Sequence, residues 1–220
     1  MPELVTDSGD IGLVGRSLAL AYEVNPLVRW MFADDLSPAR LESLFTSLVE
    51  FGVRHGLVYR SRKGDGAAIW FPPLGEDRSG PGDEAADVAA DTAEWSSNRR
   101  GAALDALASE RPTVAHFYLD AVGVLPLGRR QGTASDLLAP VLAECDAKGI
   151  GAYLENSDSA NARFYGHLGF REVAPIRMPE GAPSIVSMWR SPRPTGDLPS
   201  NEAGLTATLG SGLIREVPLT

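Results

Sequence analysis

Val122-Gly123-Val124-Leu125-Pro126-Leu127-Gly128-Arg129-Arg130-Gln131-Gly132-Thr133-Ala134 runs from β-branched residues, through a loop broken by proline and glycine, into residues that favour a helix. A helix N-terminus offers unpaired N–H groups at the positive end of the macrodipole. Gly132 and Ala134 are small enough to let a ligand approach that backbone closely. Arg129 and Arg130 add two fixed charges. The stretch therefore predicts a strand, a loop and a helix built around a phosphate or pyrophosphate. Without such a ligand Gly132 would be a plain loop glycine and the arginines surface residues. The spacing is not that of a P-loop, a dinucleotide fingerprint or a G-x-S-x-G nucleophile turn.

Working outward, Val114 to Val124 is the best strand in the chain, rich in aromatic and β-branched residues. Gly132 to Lys148 reads as a helix with Leu137, Leu138, Val141, Leu142 and Cys145 on one face, Pro140 inside it and Gly149 closing it. Ala152–Glu155 follows as a short strand, Ser159–Leu168 as a short helix, and Arg171–Arg177 with Ser184–Arg190 as two last strands. On the N-terminal side Ile11, Val14, Leu18 and Tyr22 recur at helical spacing behind Asp10 as cap, and Asn25-Pro26 ends that helix. Ser37-Pro38 opens a second helix. Leu57–Arg60 and Ala67–Phe71 read as a hairpin, and 94–110 as a weakly patterned helix. Such alternation describes an α/β or α+β domain on a mixed sheet.

With 220 residues, 44% hydrophobic and 22% charged, the chain fits one soluble domain with at most an extension. A single cysteine, Cys145, excludes a disulfide framework. The three histidines are too scattered for a metal motif, so no metal is expected. The acidic start and the lack of a long apolar run point to a cytoplasmic protein without a membrane partner. A net charge of −9 disfavours nucleic acid and mildly favours cationic ligands such as amines. Acid is concentrated between Leu74 and Glu94, which reads as a solvated loop. Residues 1–190 form the expected domain, and 191–220 a linker and C-terminal extension. Alternation from Leu205 to Leu219 suits a hairpin added to the domain or to a partner chain, which leaves a homodimer open.

The pattern V-x-V-x-P followed by R-x-x-G-x-A resembles the acetyl-CoA-binding motif of the GNAT superfamily of N-acetyltransferases. Asn161-Ala162-Arg163-Phe164-Tyr165-Gly166-His167-Leu168-Gly169-Phe170 resembles its second signature, N-x-x-F-Y-x-x-x-G-F. Tyr153 to Ser157, and the arrangement from Asp10 to Arg190, are similar to the puromycin N-acetyltransferase subgroup. Ala134 stands where many members have glycine. The resemblance implies a splayed, mostly antiparallel sheet and transfer of an acetyl group from acetyl-CoA to the amine of a small molecule, antibiotic-like or a metabolite, by direct attack. The alternatives are a non-catalytic acyl-CoA sensor and a peptide or protein N-acetyltransferase.

The same resemblance implies a cofactor site made of Val122, Gly123, Val124, Arg129, Arg130, Gln131, Gly132, Thr133, Ala134 and Asn161. The backbone of Val122 and Val124 would pair with the pantetheine arm, Asn161 would bond it, and Tyr165 would give a proton to the departing thiolate. An attacking amine must be neutral, so a base is needed. Glu155 ranks first, from its place in the matched run. Asp120 ranks second, two positions before Val122 and expected on the face of Tyr118 and Val122. Each is also suited to ordering the wedge by hydrogen bonding. Trp30, Phe32, Tyr59, Trp70 and Trp95 are candidates for an acceptor pocket or for the core.

Overall fold

A computed structural model describes residues 1–33, 36–73 and 98–194. Helix α1 (Ser8–Tyr22) starts earlier than its apolar spacing predicts, because Asp7 and not Asp10 is the cap: its carboxylate accepts the Gly9 N–H at 2.9 Å. Asp10 instead pairs with Arg60 at 3.2 Å. Asn25-Pro26 lies just past the end of α1, as expected, and has a second role. It opens helix α2 (Pro26–Met31), with the Asn25 side chain accepting the N–H groups of Leu27 and Val28 at 3.0 and 3.1 Å. Helix α3 (Pro38–His55) is capped by Ser37 as the sequence predicts.

The strands are β1 (Glu3–Leu4), β2 (Leu57–Arg60), β3 (Gly66–Phe71), β4 (His116–Val124), β5 (Gly151–Asn156), β6 (Arg171–Ile176) and β7 (Ile185–Arg190). Helix α4 (Asn98–Ser109) precedes β4, and α5 (Thr133–Lys148) follows it as one element despite Pro140. The short helix expected over Ser159–Leu168 divides into a 3-10 turn, Ser159–Asn161, and helix α6 (Ala162–His167). The acidic loop, Trp95 and the tail beyond residue 194 lie outside the described residues.

These strands form one open sheet in the order β1-β2-β3-β4-β5-β7-β6, antiparallel except between β4 and β5. One face packs on α1 and α3 through Leu18, Phe45, Val49 and Ile69; the other packs on α5 and α6 through Trp70, Leu137, Val141 and Phe170. Mixed layers of this kind are what the alternation in the sequence predicts, and two layers of helix leave both faces covered.

Two features of β4 open the sheet. Its parallel pairing with β5 stops after Tyr118↔Tyr153, although both strands continue. Just beyond, the register with β3 jumps from Leu119↔Trp70 to Ala121↔Ile69, so Asp120 is the extra residue of a bulge. A bulge bends its strand and raises the local twist. Here it comes where β4 and β5 part, and a wedge lies between them.

Next to the far edge, β7 is fastened to α5. Arg190, 2% exposed, makes a two-pronged pair with Asp146 at 2.8 and 2.7 Å and donates Nε to the Leu168 carbonyl at 3.0 Å. Asp146→Ala leaves that guanidinium buried without its counter-charge. A loss of about 3 kcal/mol in unfolding free energy is expected, read as a lower urea midpoint at unchanged slope. The hydrogen bonds from Arg190 hold the Asp146 carboxyl below the usual carboxylate range. Its contribution is therefore present above the ordinary carboxylate pKa and is lost as pH falls through the depressed folded value.

Candidate active site

A cavity of about 960 Å³ follows the wedge from the loop before α5 to the space beneath α2. Its first end is the quoted stretch. Gly132 caps α5 from a left-handed conformation, φ 84°, with no side-chain cap. The first N–H of this turn to find an acceptor is that of Asp136, on the Gly132 carbonyl at 2.9 Å. The N–H groups of Thr133, Ala134 and Ser135 meet no partner among the described residues, and all three residues line the cavity. Arg130 is also left-handed, φ 60°. Gln131 is tied back to the Leu127 carbonyl at 2.6 Å.

Along β4 the bond from Leu125 N to Asp65 O, 2.7 Å, fixes the parity of the ladder with β3. Gly123 thus turns its backbone groups to β3, while Val122 and Val124 turn theirs to the wedge. In the structure two of those groups have protein partners. The Val122 N–H donates to the Tyr22 hydroxyl at 3.1 Å, and Arg129 Nε donates to the Val124 carbonyl at 3.1 Å. Gly123 is where α1 crosses closest: an added Cβ would lie 2.8 Å from that of Ala21. This contact carries Tyr22 over β4.

The bulge changes what β4 presents. Tyr118 and Ala121 belong to the cluster under α1 and α3, whereas Leu119 and Val122 belong with the α5 side. The expectation that Asp120 shares a face with both Tyr118 and Val122 is therefore wrong, because the extra residue reverses the alternation between them.

Tyr118, Asp120 and Glu155 come together beneath α2, with Arg111 from the loop after α4. Arg111 Nε lies 3.4 Å from Glu155 Oε1, and its Cζ lies 4.0 Å from the centre of the Tyr118 ring. Burial raises both carboxyls above their ordinary range; Arg111 opposes the rise in each. Tyr165, 9% exposed, packs against Phe164 and Phe170 at 5.2 and 6.0 Å between ring centres. Its hydroxyl has no hydrogen bond among the described residues, and burial holds it far above the usual phenol range. Asn161 is exposed at the start of α6, its side chain uncapped.

Of the aromatic candidates, only Phe32 lines the cavity among those described. Trp70 is fully buried in the core, Tyr59 packs beside that core, and Trp30 lies near Gly181. Tyr22, Phe45, Phe51 and Phe71 line the cavity in their place.

Residues 93–188 match the family model described as an acetyltransferase (GNAT) domain. This segment of the chain is similar to a GNAT acetyltransferase domain. That segment holds Arg111, Asp120, the α5 turn, Glu155 and Tyr165, while Tyr22 and most of the cavity's aromatic rings precede it. Solved structures agree on the fold. A Corynebacterium glutamicum protein titled histone acetyltransferase HPA2 and related acetyltransferase is 21% identical, with TM-score 0.59, over 88% of this chain and 98% of its own. Arylalkylamine N-acetyltransferase 2 from Aedes aegypti is 13% identical, with TM-score 0.60, over 87% and 98%. Drosophila melanogaster polyamine N-acetyltransferase is 18% identical, with TM-score 0.55, over 86% and 100%. These structures share the open, mostly antiparallel sheet that the resemblance implies, and GNAT acetyltransferases use acetyl-CoA.

Proposed function

We propose that the protein moves an acetyl group from acetyl-CoA to the amine of a small, partly apolar molecule by direct attack, with both substrates bound at once. One observation carries the reading: a single cavity joins the uncapped N-terminus of α5 to two buried carboxylates and to Tyr165. The free N–H groups of Thr133 to Ser135 are suited to a diphosphate, and Arg130 and Lys63 stand near as cations. Bound there, acetyl-CoA supplies the acyl group as an activated thioester.

The residues of this chain do the rest. Val122 and Val124 offer strand-edge groups to an extended arm once Tyr22 and Arg129 yield theirs, and Asn161 offers an amide at the cavity rim. Glu155 takes the proton of the incoming ammonium, directly or through water, with Asp120 second in rank. Tyr165 donates to the departing sulfur. Phe32, Phe45, Phe51 and Phe71 exclude water from the acceptor end and favour a flat or alkyl body on the amine. The acetyltransferases of arylalkylamines and polyamines among the structural neighbours fit that acceptor class. An antibiotic-like amine, as in the puromycin-type subgroup, belongs to the same class. Residues 1–190 form the acting unit in this reading.

The test is release of CoA thiol from acetyl-CoA over panels of arylalkylamines, polyamines, amine antibiotics and peptides. Turnover on apolar primary amines, at least tenfold above peptides in kcat/KM, is expected. Binding of acetyl-CoA with no turnover on any panel would instead favour a sensor, and preference for peptides a protein acetyltransferase.

A further inference from the structure

Arg111 was invisible to motif reading: it lies between a helix and a strand, next to Pro112, in no recognisable pattern. The structure gives it three restraints. Its own N–H bonds the Ala108 carbonyl at 3.3 Å, fixing the backbone at the end of α4. Its guanidinium lies over the Tyr118 ring, with Cζ 4.0 Å from the ring centre. Its Nε meets Glu155 Oε1 at 3.4 Å. The Glu155 side chain is only 6% exposed; burial raises its pKa, and the Arg111 charge opposes that rise. No other cation lies within 4 Å of it among the described residues.

We propose that Arg111 is a positioning residue for the acceptor side of the site: clamped on Tyr118, it keeps the Glu155 carboxylate ionised and holds it by one oxygen, leaving the other for the ammonium of the acceptor. The inference rests on the acetyl-transfer reading above. Its geometry is suited to the task, since a contact through Nε alone occupies one carboxylate oxygen, where a two-pronged pair like that of Arg190 with Asp146 would use both; the Tyr118 hydroxyl donates to the same carboxyl and leaves it further acceptor capacity.

The charged and titratable groups around Glu155 are Arg111 and Glu110 from the loop, His116, Tyr118 and Asp120 from β4, and Tyr153 on its own strand. Tyr118 and Tyr153 stay protonated at working pH because burial raises both. Arg111 and the hydrogen bond from the Tyr118 hydroxyl favour ionisation of Glu155, and Asp120 opposes it. Removing Arg111 therefore raises the Glu155 pKa further, and the acidic limb of kcat/KM against pH moves upward.

The experiment is that pH profile for an amine acceptor, with Glu155→Gln marking the limb that belongs to Glu155, since the limb of the amine itself stays in place in every variant. Arg111→Met is expected to raise the Glu155 limb by about one unit, a loss of roughly tenfold on its acidic side, with CoA binding unchanged. Arg111→Lys, which keeps a cation but loses the planar stacking, is expected to move the limb by less. Saturating CoA supports folding in each, and if the methionine variant still fails to fold the lysine variant decides. An unmoved Glu155 limb in the deciding variant, or no limb assignable to Glu155 in the wild type, overturns the proposal. A wild type that transfers acetyl to no amine overturns instead the reading on which it rests.

Discussion

Tyr165→Phe is expected to slow single-turnover acetyl transfer by roughly 10²-fold, with thermal unfolding and acetyl-CoA affinity little changed. The reason is where the ring and the hydroxyl sit. The ring is held by Phe164 and Phe170 in the cluster beneath α5, and phenylalanine fills that space equally well. The hydroxyl bonds nothing among the described residues, so its removal strands no buried partner. Burial keeps it protonated at every working pH. In the proposed role a proton held so firmly is not released at rest; it would act by hydrogen bonding to the sulfur as negative charge grows there, the stage at which a donor changes rate rather than binding. A tyrosine needed only for packing would behave oppositely, losing stability and keeping its rate per folded molecule. Full chemical rate in a normally folded Tyr165→Phe protein would refute the role, and single-turnover mixing beside a melting curve reads both quantities.

Much of the frame of this candidate site was legible because its signals are local. The strand, turn and helix of 122–148 follow from β-branched residues, a left-handed glycine and apolar spacing, all read within a few residues of one another. Gly149 closes α5 from φ 67°, as a glycine after an apolar run predicts. What was not legible depends on distant neighbours. Asn25-Pro26 carries a stop and a start at once, since proline ends one helix and suits the first turn of the next; only packing of α2 over the cavity selects the second meaning. The bulge at Asp120 is set by the partner strand, so the period of β4 alone puts Tyr118 and Val122 on one face. Trp70 and Phe32 are both large aromatics before the motif, and what separates them is the layer each meets. Arg111 and Tyr22 make their contacts far along the chain, at Glu155 and Val122, which no spacing encodes.

The largest effect on cosubstrate affinity is expected from Gly132→Asp, a loss of roughly 10²- to 10³-fold in CoA binding by calorimetry. Three costs combine. At φ 84° the backbone is left-handed, and any residue with a Cβ is strained there by about 1 kcal/mol. Nothing lies within 4 Å of the added Cβ, so the side chain enters without a clash and the strain is not compounded by packing. The new carboxylate then stands at the mouth of the α5 N-terminus, where it can cap the N–H of Ala134 or Ser135 itself and repel a diphosphate by like charge. Gly132→Ala separates these terms, because it introduces the strain alone and should weaken binding by only about fivefold. Equal losses in the two variants would mean that the turn must merely bend correctly; wild-type affinity in Gly132→Asp would remove the diphosphate from this turn altogether. Because the N–H groups belong to the backbone, Arg129→Ala and Arg130→Ala should weaken binding less than Gly132→Asp. The two arginine effects should also fade with added salt, since both side chains are exposed and their charges are screened.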